Sequence, residues 1–152
     1  MQNKIICLII LIFLNACGYT PLYQNNNNLN FSIEITDMEG DRKVNEAIKS
    51  NLRRFSKKSN EKINYEIKIK TNLTKKTISK NKTGTISQIK LITKVTFIIK
   101  SNELEQTFLF SEEFNIKKNN ETIDEKEYED NIKENMGTSI SEKLIFNLSS
   151  LK

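Results

Sequence analysis

Ile63-Asn64-Tyr65-Glu66-Ile67-Lys68-Ile69-Lys70 places an apolar side chain at every second position, and the alternation continues to Leu73. A period of two puts all the apolar groups on one face of an extended strand and leaves the other face wet. Ile89, Leu91, Thr93, Val95, Phe97 and Ile99 repeat the pattern, and between the two runs lies Lys80-Asn81-Lys82-Thr83-Gly84. Asn and Gly in a short polar break mark a turn, so the two runs read as one long hairpin. Beyond it, Ser101-Asn102 signals a further turn, and Leu104, Phe108, Phe110 and Phe114 alternate on another strand whose apolar face Glu112 interrupts. Upstream, Phe31-Ser32-Ile33-Glu34-Ile35 alternates as a first strand.

The spacing changes on either side of these strands. After Gly40-Asp41, a turn with a candidate N-cap, Val44, Ala47, Ile48, Leu52 and Phe55 recur at steps of three and four. That is one face of a helix, expected to end before Ser59-Asn60. Near the C-terminus Ile132, Met136, Ile140, Leu144, Leu148 and Leu151 form a second helical stripe. Thr122-Ile123-Asp124-Glu125 has capping-box spacing, and the acids Asp124, Glu125, Glu127, Glu129 and Asp130 suit a helix's positive end. Gly137 interrupts this helix at a cost of about 1 kcal/mol relative to Ala, which suits a close approach of helix to sheet. The order β-α-β-β-β-α predicts an α+β sandwich, with two helices packed on one face of a four-stranded mixed sheet.

The 152-residue chain has no His, and its two Cys, Cys7 and Cys17, both lie near the N-terminus. Imidazole bases and ligands are thereby excluded, and residues after position 17 hold no disulfide, thiolate metal site or cysteine nucleophile. Ser79 and Lys80 are adjacent on a strand, which points them to opposite faces. The chain reads as non-enzymatic, with no cofactor. Basic residues outnumber acidic ones by 24 to 19, but only Arg42, Arg53 and Arg54 are arginines. Lys, Ile and Asn together fill 63 positions, the enrichment that AT-rich coding would give, so the lysine excess stays open between base composition and an anionic ligand. A scarcity of Arg and of interleaved aromatic and basic residues argues against nucleic acid.

Residues 5–14 (IICLIILIFL) are ten consecutive apolar positions behind Lys4. The run is too short for a stable span of a bilayer and right for the apolar region of a signal peptide. Leu14-Asn15-Ala16-Cys17-Gly18 follows and resembles the bacterial lipobox, with Asn15 at a position more often Ser, Ala or Thr. The resemblance implies cleavage of residues 1–16 and covalent lipid on Cys17. Residues 17–30 become a lipidated N-terminus and polar tether, and residues 31–152 a single domain. Several acyl chains would hold such a protein firmly to a membrane surface. Gly18 replaces the Asp that usually retains lipoproteins at the inner membrane, which implies the outer one. Only 44 of the remaining 136 residues are apolar, so the core must be thin, a shortage that a permanent partner would relieve.

Cys17-Gly18-Tyr19-Thr20-Pro21-Leu22-Tyr23 resembles the CGFxPLY start of the LptE-like lipopolysaccharide-assembly lipoproteins, in particular their alphaproteobacterial branch. Tyr19 stands for the commoner Phe; Gly18, Pro21, Leu22 and Tyr23 match. The element order extends the resemblance, in pattern rather than identity, over nearly the whole remaining chain. It implies an outer-membrane lipoprotein that plugs the β-barrel of the lipopolysaccharide translocon one-to-one, helps that barrel assemble, and assists insertion of lipopolysaccharide into the outer leaflet. The domain would then face the periplasm and the barrel lumen. Lys75, Lys76, Lys80 and Lys82, near the hairpin tip, are the candidate contacts for lipopolysaccharide phosphates or barrel; the bland alternative is a solvated turn. A competing reading is another outer-membrane lipoprotein, such as a secretin pilot or a lipid-binding transport accessory.

Overall fold

The computed structural model describes residues 31–56, 63–102, 105–118 and 122–150. Strand β1 (Phe31–Glu39) leads into helix α1 (Arg42–Leu52) and a 3-10 turn (Arg53–Phe55). Strands β2 (Ile63–Lys80), β3 (Ile86–Lys100) and β4 (Glu105–Lys117) follow, and helix α2 (Thr122–Ser150) closes the chain. The sheet order is β1-β2-β3-β4. β1 runs parallel to β2, and the other two pairings are antiparallel. A parallel neighbour requires a crossover, and α1 supplies it. The α+β arrangement expected from periodicity is the one observed.

Each element follows from local chemistry. Asp41 has extended dihedrals and its side chain accepts a 3.0 Å bond from the Val44 amide, so it caps α1 as the sequence predicts. α1 is shorter than its expected end near Ser59-Asn60, a pair outside the described residues. The last turn tightens to 3-10 and Ser56 is extended. Phe55 is thereby turned back onto Phe31, ring centroids 6.0 Å apart. β2, conversely, continues past Leu73 to Lys80, because β3 pairs with it through Lys80↔Ile86. Backbone pairing sustains a strand after its apolar alternation has faded.

Two apolar clusters lie between helices and sheet. The larger takes Ile33, Ile67, Val95, Phe97 and Ile99 from the strands and Val44, Ile48, Leu52, Ile140, Leu144 and Leu148 from the helices. The smaller joins Ile89, Leu91 and Ile116 to Ile132 and Met136, nearer the hairpin. Each fully buried aliphatic side chain contributes about 1.5–3 kcal/mol relative to exposure. The helical stripes therefore do as their spacing predicts, with Ile145 buried as an unforeseen addition and Leu151 outside the described residues.

Two details correct the sequence reading. Gly137 marks an approach of helix to helix, not helix to sheet: a Cβ there would lie 2.7 Å from the Val44 carbonyl oxygen and 2.9 Å from the Ala47 Cβ. The aromatic row on β4 is also not uniformly internal. Phe108 and Phe110 are half-buried against the larger cluster, with Phe110 edge-on to Phe97 at 5.9 Å, whereas Phe114 is 42% exposed. Glu112, which interrupts that row, accepts hydrogen bonds from Ser139 at 2.8 Å and from Lys143, tying β4 to α2. Leu104 and the side chains of residues 122–124 fall outside the described residues.

Candidate functional site

Past Gln88↔Lys117, where β4 stops, β2 and β3 run on as a short two-stranded arm that orders its own tip. The Asn81 side-chain oxygen accepts bonds from the Thr83 amide (3.1 Å), the Thr85 amide (2.9 Å) and the Thr83 hydroxyl (2.7 Å). The Asn81 amide donates to the Thr85 carbonyl at 2.8 Å, and the Gly84 amide to the Asn81 carbonyl at 3.0 Å. Gly84 has φ 81°, a left-handed conformation that L side chains tolerate poorly. Just below the tip the Ser79 and Ser87 hydroxyls meet at 2.7 Å. An Asn-Lys-Thr-Gly stretch between two strands builds this turn because Asn supplies the acceptor and Gly the positive φ.

The four lysines singled out from sequence divide into two groups. Lys75 points to the helix side and its ammonium donates to Glu129 of α2 at 2.5 Å. Glu129 also meets Lys133 at 3.1 Å. Partial burial works to raise the Glu129 pKa, but the bonds from Lys75 and Lys133 outweigh it and the net shift is downward. Burial likewise works to lower Lys133, and Glu129 holds it above its ordinary value. Lys75 therefore ties β2 to the helix layer. Lys76, Lys80 and Lys82 are exposed and make no ion pair with any described residue.

Sequence reasoning missed the apolar groups beside them. Ile78 and Ile86, at the outer end of the arm, are 45% and 37% exposed. Neither belongs to the apolar alternation that marks its strand; backbone pairing makes both strand residues, and nothing described covers them. Phe114 and Tyr128 are a second exposed pair, bordering a groove of about 280 Å³ between β4 and α2, floored by Ile132 and Met136. A second concavity, between the helices, is polar, with Glu46, Asn51, Arg54 and Glu134 on its walls. Asn51 spans the helices there by donating to the Ser141 hydroxyl at 2.5 Å.

These features suit noncovalent recognition. Among the described residues no group of three Asp, Glu, His or Cys converges to hold a metal ion. The exposed cations on the arm are ammonium groups beside aliphatic side chains, a combination that fits an anionic amphiphile or an acidic protein surface. Cys17, Gly18, Tyr19, Pro21, Leu22 and Tyr23 lie outside the described residues, as do the leader and tether.

Comparison with solved structures finds this fold among lipoproteins. The chain is similar to rare lipoprotein B from Shewanella oneidensis, with TM-score 0.59 and 16% identity over 79% of this chain and 93% of that one. A lipoprotein from Caulobacter crescentus aligns with TM-score 0.55 and 10% identity, covering 80% of this chain and 88% of that one. A minor lipoprotein from Acinetobacter baumannii aligns with TM-score 0.52 and 12% identity, covering 79% and 91% respectively. The shared feature is the fold. At these identities the likeness does not single out a branch such as the alphaproteobacterial one. No family model and no curated protein matches the chain.

Proposed function

We propose that this chain is an outer-membrane lipoprotein, anchored through lipid on Cys17, that plugs the lipopolysaccharide translocon β-barrel, helps it assemble, and assists delivery of lipopolysaccharide to the outer leaflet. The observation that carries the reading is the fold held in common with rare lipoprotein B, on a chain whose Cys17–Tyr23 segment resembles the start of the LptE-like lipoproteins, the alphaproteobacterial branch included. The chemistry is coherent with it. A large barrel's lumen is polar, so a plug can keep a polar surface, and a thin core gains stability when a partner binds only the folded state. The exposed lysines Lys76, Lys80 and Lys82 are positioned for phosphates on the lipid, with Ile78 and Ile86 beside them for its apolar part. No catalytic role or cofactor is part of this reading.

The test is to tag the C-terminus, extract native membranes in mild detergent, and identify what co-purifies. One large β-barrel at one-to-one stoichiometry is expected. A multimeric secretin, or bound lipid with no protein partner, would overturn the plug reading in favour of a pilot or a lipid-transport accessory. The anchor is tested separately: Cys17→Ser is expected to abolish incorporation of labelled fatty acid, and continued labelling would refute it.

A further inference from the structure

β1 pairs with β2 only from Ile63 to Lys70, whereas β2 runs on to Lys80. The cover ends where Gly40 lies against the Thr71 carbonyl and the chain turns away into α1. From residue 72 to residue 80, β2 pairs with β3 on one side and with no described strand on the other. That leaves about 30 Å of strand, at ~3.3 Å per residue, with one row of amide and carbonyl groups unpaired. The stretch holds three Lys, two Thr, one Ile and one Leu with no Pro or Gly; β3 keeps it extended, in regular register as far as Thr77, so it is a preformed template for one more strand.

Its charge selects among occupants. Lys76 and Lys80 lie on this edge, and Lys94 is in the neighbouring row opposite Asn72; none has an ion-pair partner among the described residues. A second β2 pairing edge-to-edge would set lysine against lysine, which disfavours self-association through this strand. An extended segment with carboxylates at alternate positions would pair its backbone with β2 and its charges with these lysines. We propose that residues 72–80 of β2 form a strand-addition site for an extended acidic segment of a partner protein. This inference rests on the backbone edge and its charge alone, so it stands or falls independently of the translocon reading.

The experiment uses the full chain in mild detergent and a synthetic peptide alternating Glu with Val, matched in length to the free edge. Two control peptides replace Glu by Lys or methylate alternate backbone nitrogens. Binding is followed together with amide hydrogen exchange along β2. The acidic peptide is expected to bind in a salt-sensitive manner. It should slow exchange by at least about tenfold at alternate residues between 72 and 77, where the strand is regular, while both controls fail. The double variant Lys76→Glu, Lys80→Glu should weaken binding by about tenfold or more, equivalent to ~1.4 kcal/mol. No binding would overturn the proposal, as would equal binding of the methylated peptide or binding without alternating protection. If raising the concentration of the protein alone protects the same amides, the edge takes a second copy and the acidic-partner proposal is wrong.

Discussion

The two halves of the β2–β3 hairpin are built from similar strands and have different fates. In the half paired with β1, every inward position from Tyr65 to Ile69 is buried under α1 and α2. In the outer half the smaller cluster still buries Ile89 and Leu91 of β3 under α2, Lys75 reaches sideways to Glu129, and only toward the tip do groups stand that nothing described covers. The inner half gains its stability from desolvated aliphatic side chains. The outer half has such support only from the smaller cluster, and its far end depends on backbone pairing, a self-capped turn and a few ion pairs, each worth little when exposed. A strand therefore needs no core to persist if its neighbour is long enough. A region released from packing is free to carry charge and exposed isoleucine, which a core would reject.

The sharpest way to break this contrast is in the inner half. Leu144 is fully buried, and Leu144→Asp would strand a carboxylate among aliphatic groups at a cost of several kcal/mol. Urea unfolding should show loss of most of the domain's stability, and a mild effect would mean that the α2 stripe is not seated as described. In the smaller cluster, Ile132→Ala should cost about 2–4 kcal/mol. Hydrogen exchange should show the outer half loosening at least as much as the inner, and uniform loosening of the inner half alone would dissolve the distinction. Gly137→Ala gains helix propensity but drives a Cβ into the Val44 carbonyl, so a net loss of about 1–3 kcal/mol is expected, read from the thermal midpoint; stabilisation would show that the helices can part.

Two smaller effects sharpen the comparison. Asp41→Ala removes the α1 cap and should cost about 1 kcal/mol, measured by denaturant titration. The pH dependence comes from the ties between α2 and the strands. The Lys143 hydrogen bond lowers the Glu112 pKa against partial burial, with Ser139 assisting, and Glu129 is lowered by Lys75 and Lys133 despite its burial. A carboxyl with a depressed folded pKa stabilises fully above its unfolded value and loses that contribution as pH falls through the folded one. Stability should therefore be flat above the ordinary value of 4.5 and decline below it. Glu129→Gln should flatten part of that decline, and Lys80→Glu should leave both stability and its pH profile unchanged.

Much of this was readable beforehand, and the exceptions share a cause. Ile89 through Ile99 on β3 and Ile132 through Leu148 on α2 show buried faces at the positions their periods mark, because burial of one face is what selects those periods. Phe114 fits the alternation equally well yet is exposed, since the period places it on the correct face without showing whether a helix lies above it. The candidate lysines illustrate the same limit. Lys75 and Lys76 are adjacent and identical in type, and only the position of Glu129 on a distant helix separates the tied group from the free one.

The sequence by itself determined the six elements, the Asp41 cap, the Asn81–Gly84 turn and the apolar faces, all set by chemistry within a few residues. It also holds the lipobox-like Cys17 segment, legible only as sequence. Tertiary structure alone decided the parallel placement of β1 against β2, the helix-to-helix contact at Gly137, and the point at which β1 stops. These depend on pairings between residues tens of positions apart, whose energies arise only when the chain brings them together. The last of them leaves half of β2 with an edge that no described strand pairs.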